Sequence, residues 1–239
     1  ANGGSSGTSG YLVFSSGSAK EGNSGQILIG SGASTAGRGG RVHIAVGSGT
    51  SGAGGNLVVA AGRSTTLTGG LINICSGEGT ATSSGNIFVR TANAGVQGSS
   101  GNLIFSSGST KNGNSGNIFI GTGISTGGRS GSVSITVGSG TSGAGGYVGL
   151  SGGYSITQTG GLVGIYSGEG TATSSGNIVI LSANSGAAGT SGLLSFSSGS
   201  ASSGNSGSIL IGSGTATDGR GGTLLVTIGS GTSGAGGYI

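Results

Sequence analysis

Proline, methionine and tryptophan are absent from this 239-residue chain, and cysteine occurs once. The single thiol, Cys75, excludes a framework of intrachain disulfides. Charge is scarce too: 5% of residues, eight basic against four acidic, for a net charge of +4. The basic residues are scattered rather than gathered among aromatics, so no nucleic-acid-binding patch is expected. No apolar run approaches the length that spans a bilayer, so no transmembrane segment is expected. Neither a signal peptide nor an initiator Met is present, and the chain reads as a window from a longer or processed one. Collagen is excluded, because proline is missing and glycine does not fall at every third residue. Disorder calls for low hydrophobicity with high net charge, and neither holds.

Glycine is what the chain has in abundance, with 64 residues. The stretch GSGTSGAGG, Gly47 to Gly55, follows the apolar run VHIAV and contains G-x-G-x-x-G in Gly47, Gly49 and Gly52. Such a turn cradles a pyrophosphate only when a helix follows it. Here NLVVAAG follows, which alternates like a strand, so the nucleotide reading is set aside. The glycines are instead expected to serve turns in positive φ or closely packed corners.

Self-similarity organises everything else. GSGTSGAGG recurs at Gly138 to Gly146 and Gly229 to Gly237, an offset of 91 residues each time. SGEGTATSSGNI recurs at the same offset, Ser76 to Ile87 and Ser167 to Ile178. The copies run over about residues 10–100, 101–191 and, in part, 192–239. Within them, an anchor glycine precedes each apolar stretch, from Gly10, Gly25, Gly40, Gly55, Gly70 and Gly85 onward to Gly237. Every step is 15 residues, except that 85 to 101 and 176 to 192 are 16.

Two places after the anchors stand Leu12, Ile27, Val42, Leu57 and their equivalents to Ile239. Four places after stand Phe14, Ile29, Ile44, Val59 and theirs to Val226. A spacing of two puts these columns on one face of a strand, and β-branched residues favour that conformation. Ten places after the anchor Thr is frequent, as at Thr35, Thr50, Thr65 and Thr80, within a half-repeat of Ser, Ala and Gly. That half reads as a second short strand bounded by glycine turns.

The fold class expected is therefore all-β: a single-chain β-solenoid of 15-residue rungs, occasionally 16, with a six-rung super-repeat of 91 residues. It would be one continuous solenoid over 1–239 with no separate domains. One rung cannot stand alone, since ordering each residue costs about 1–2 kcal/mol and a large apolar side chain returns roughly 1.5–3 kcal/mol. Stacking at about 4.8 Å per rung would advance about 29 Å per super-repeat, with aliphatic seams excluding water.

Chemistry is sparse. The one histidine, His43, is expected to face outward, and its equivalent one super-repeat on is Ser134. The acids Glu21, Glu78, Glu169 and Asp218 are too dispersed for a carboxylate pair or a calcium loop. G-x-S-x-G at Gly3 to Gly7 is expected by chance in so much Gly and Ser. Neither a catalytic site nor a metal or cofactor is expected, and Cys75 reads as a small strand-end residue. Arg63 and Glu78 share a slot in adjacent rungs and are expected to pair at the surface. Arg38, Arg129 and Arg220 share one slot in successive super-repeats, as do Lys20 and Lys111, a sparse row suited to acidic polysaccharide or mineral, or simply to solubility.

Three places after the anchors come Val13, Leu28, Val58, Phe88, Ile104, Phe119, Val179, Leu210 and Leu225. Alternation turns this column outward, and exposed apolar stripes mark partner surfaces. It is the candidate lateral-assembly stripe. No Asn is followed two places later by Ser or Thr, so N-linked glycosylation is not expected.

The series GNSG-x-I-x-I-G-x-G, GSGTSGAGG and SGEGTATSSG resembles Gly/Ser/Thr-rich β-solenoid repeat regions of large secreted cell-surface or adhesin-like fibrous proteins, those of microalgae most of all. The resemblance implies an extracellular fibre, appendage or coat component, not an enzyme. Its expected partners are copies of itself or other matrix components. The alternative is a surface-binding module for polysaccharide, mineral or ice. For ice, the pairs Thr80/Thr82 and Thr171/Thr173 lie six rungs apart, and Thr215/Thr217 is in another register. A polysaccharide lyase or hydrolase is least supported, because no groove of clustered acids, Arg or His is present. Both ends fall within a repeat, and such open strand edges would invite end-to-end joining.

Overall fold

The computed structural model describes residues 7–232 and 234–238. Among them there is no helix and no β-strand, so no sheet joins one repeat to the next. The expected single-chain β-solenoid is therefore incorrect. Ile239, the last member of the first apolar column, and Gly3 to Ser6 lie outside the described residues. Two units separate between Phe119 and Ile120.

The 15-residue rhythm survives in a different form. In the first unit the chain bends sharply at 20–22, 35–37, 50–52, 65–67, 80–82 and 111–113. In the second it bends at 126–128, 141–143, 156–158, 171–173, 202–204 and 217–219. The bends fall in the Ser/Thr/Gly half of each repeat, which is thus a loop rather than a second strand. Between loops the apolar half runs as an extended segment.

The loops are drawn together at their necks, where the anchor glycine meets the chain eight or nine residues earlier, or ten in the 16-residue repeats. In the first unit the Gly55, Gly70 and Gly85 amides donate to the Gly47, Gly62 and Gly77 carbonyls at 3.2, 2.8 and 2.9 Å. In the second, the Gly161 and Gly176 amides reach Gly153 and Gly168 at 2.8 and 2.9 Å. At other necks a serine hydroxyl donates instead: Ser16 to the Gly25 carbonyl, Ser31 to Gly40 and Ser213 to Gly222, at 2.8, 2.9 and 3.0 Å.

This closeness requires glycine at several anchors, though Gly10 has nothing within 4 Å and Gly85, Gly101, Gly116 and Gly176 meet only ordinary contact at 3.5 Å. A Cβ on Gly40 would stand 2.7 Å from the Ser31 Cβ, and one on Gly55 would stand 2.5 Å from the Val46 Cγ1. Glycine here serves close approach rather than turn dihedrals. Positive φ occurs only at Gly17, Gly22 and Gly204 among the described residues, none of them in a GSGTSGAGG copy.

The extra residue of the 16-residue repeats has a definite place. It is taken up in a β-turn closed from the Gly98 amide to the Gly95 carbonyl, and again from Gly189 to Gly186, both at 3.3 Å. Ser64 and Ser155, one super-repeat apart, cap the bends that follow them. Their Oγ atoms accept from the Leu67 and Gln158 amides at 2.9 and 3.0 Å.

Neither unit has a core. No described residue is buried, and only Ser64, Gly79, Ser155 and Gly170 are even half-buried. The accessible surface is 23611 Å². A compact chain of this mass exposes about 9,300 Å², and a fully unfolded one about 31,600 Å². The aliphatic columns expected to exclude water therefore do not.

The physical reason lies in what alternation leaves unspecified. It sets which side chains share a face, but not whether a neighbouring strand supplies hydrogen bonds. Two large apolar residues per 15 offset only a small part of the ordering cost, which glycine raises further. The cheaper closure is local, across eight or nine residues, where little loop entropy is lost.

Candidate functional site

The extended segments carry the feature that stands out chemically. The nine large apolar members of their +3 column, Val13, Leu28, Val58, Phe88, Ile104, Phe119, Val179, Leu210 and Leu225, are 74% to 89% exposed; the other six positions are His43, Asn73, Ser134, Gly149, Gly164 and Ser195. The +2 column from Ile27 to Leu224 is shielded by about half, at 47% to 61% exposure, and the +4 column lies between, at 53% to 76%. Alternation is thus visible as a gradation of exposure. The segments are extended, so +3 side chains leave the backbone on the side opposite +2 and +4.

Apolar surface gathers locally as well. In the second unit Phe196 and the run Ile209, Leu210 and Ile211 line an open, mostly apolar cleft of about 340 Å³. In the first unit a polar cleft of about 330 Å³ is lined by Arg90, Thr91, Ala92 and Asn93, just before the β-turn at Gly95. The equivalent of Arg90 one super-repeat later is Leu181, so this polar lining is not repeated.

Charge is kept away from the segments. Of the twelve charged residues only Arg41 and Arg90 lie within seven places after an anchor; the rest sit in the loops. Lys20 and Glu21 are in a bend, as are Lys111 and Asp218. Arg38, Arg129 and Arg220 each follow a bend directly and are exposed. This segregation, legible in the sequence once the loops are known, escapes an analysis by columns of apolar residues alone. So does the small or β-branched residue six places after each anchor, such as Ser16, Ser31, Val46 and Ala61, against which the next anchor closes.

Conventional reactive groups stay apart. His43 is exposed, and so are Arg63 and Glu78. Cys75 is exposed, its thiol donating to the Asn73 Oδ1 at 2.9 Å. Among the described residues no three His, Cys, Asp or Glu side chains assemble into a metal-binding group. No described helix is long and apolar enough to cross a membrane. No family model, curated protein or solved structure matches this chain.

Proposed function

We propose that the chain is a structural repeat segment of an extracellular fibre, appendage or cell-surface coat, and that it gains its order by associating with copies of itself or with other matrix components. One observation carries this reading: large apolar residues recur at every repeat, and every one of them among the described residues is exposed. A soluble monomer seldom leaves contiguous apolar patches beyond a few hundred Å² uncovered. The low charge content supports the same conclusion, since little electrostatic repulsion opposes close approach of copies. The resemblance of the repeats to those of secreted fibrous surface proteins supports an extracellular setting for the assembly.

Sedimentation over a concentration series, with electron microscopy of the heavy fraction, tests the proposal. Assembly into elongated or sheet-like material above a threshold concentration is the expected result. Persistence of monomer at every concentration, alone and with matrix polysaccharide, would count against it.

A second reading, attachment to acidic polysaccharide or mineral, is favoured by one observation. Arg38, Arg129 and Arg220 are exposed at equivalent places beside bends in both units. Such a row suits multivalent contact with a polyanion, in which each weak site adds to the others.

A further inference from the structure

We infer that the extended segments pair, backbone to backbone, with those of a second copy, so that sheet forms between chains where none forms among the described residues of one. The inference rests on the self-association reading above and specifies its contact.

The first support is the state of the backbone. Folded proteins carry about one internal hydrogen bond per residue. Among the described residues only eight backbone–backbone bonds form, all at loop necks or in the two β-turns. None lies inside a segment. The amides and carbonyls of Gln26 to Ile29, Asn86 to Val89, Asn102 to Phe105 and Ser208 to Ile211 have no partner among the described residues. Extended backbone in this state is a template for another strand.

Composition is the second support. These segments are rich in β-branched and aromatic residues, contain no Pro, and with two exceptions carry no charge. Short runs of that kind are the ones that stack between chains with interdigitating side chains. In nine of the fifteen segments the +3 residue is apolar like its +2 and +4 neighbours, which gives those segments an apolar surface on both faces, as a strand covered on both sides requires.

The occupant is a second copy for three reasons. Another copy presents segments at the same 15-residue spacing, with loops matching every 91 residues, so pairing one segment brings the next into register. With ten of the twelve charged residues in the loops, the segments of two copies meet little repulsion. Finally, the chain exposes about 14,000 Å² more than a compact one of its mass, against about 1,200–2,000 Å² for a stable interface.

The test uses the full chain and a variant with Leu28→Pro, Ile104→Pro and Leu210→Pro. Proline removes the amide donor, and these amides have no partner among the described residues to lose. The dilute variant should match the unsubstituted chain in circular dichroism. Assembled unsubstituted chain should show a reflection at about 4.7–4.8 Å, and the variant should need at least about tenfold higher concentration to assemble. Mixing carbonyl-labelled with unlabelled copies should shift the amide I band, which locates the pairing between chains. Assembly without that reflection, with the variant assembling at the unsubstituted threshold, would overturn the inference and leave self-association standing. Failure of the unsubstituted chain to assemble at all would overturn both.

Discussion

Replacing Gly161 with alanine tests a loop neck that closes against backbone. The Gly161 amide donates to the Gly153 carbonyl at 2.8 Å, and no positive φ is involved, so any effect is steric. A Cβ there would stand 2.7 Å from the Gly153 nitrogen. Ordinary contact begins at about 3.5 Å, so the two strands of the neck must separate by at least about 0.8 Å. The obstacle is backbone, which cannot rotate aside as the Val46 side chain can at Gly55. Separation by that amount takes the hydrogen bond out of range, a loss of about 0.5–1.5 kcal/mol. Amide exchange at residue 161, followed by NMR, should then run about two- to tenfold faster. Gly153→Ala is the control, since nothing lies within 4 Å of the added carbon. Gly70→Ala, at the equivalent neck, should be milder, because its nearest obstacle is at 3.1 Å. Unchanged exchange in Gly161→Ala, or an equal effect from Gly153→Ala, would refute the reasoning.

Two further outcomes are expected. Phe88→Lys with Phe119→Lys removes two rings that are 86% and 89% exposed, each worth roughly 1.5–3 kcal/mol if association buries it. The double variant should raise the assembly threshold by about a hundredfold or more, read by sedimentation, with the circular dichroism of the dilute chain unchanged. Arg38→Gln, Arg129→Gln and Arg220→Gln together should weaken retention on an immobilised acidic polysaccharide and flatten its salt dependence, while the assembly threshold moves by less than about twofold.

Much of the local organisation is legible in the residues. The anchors Gly10 to Gly237 set the repeat, the Thr column at Thr35, Thr50 and Thr65 marks where the chain bends, and the long steps to Gly101 and Gly192 carry the β-turns. Partnership between repeats is not legible in the residues. Ile27 and Ile29 lie on one face whether or not a neighbouring rung covers them, and a period of two is the same for a paired strand and an unpaired segment. The role of the anchors was open for a related reason. Both a positive φ and a close neighbour select glycine, and only the proximity of Ser31 to Gly40, or of Val46 to Gly55, distinguishes them.

A chain whose order comes from association should have no cooperative unfolding transition of its own. Scanning calorimetry of a dilute, monomeric solution measures this most directly. A compact protein of this length would give a single heat-absorption peak with a heat-capacity increase of about 3 kcal/mol/K. A featureless trace at low concentration, with a transition appearing only once the chain assembles, is the expected result. A sharp peak whose midpoint does not depend on concentration would contradict it.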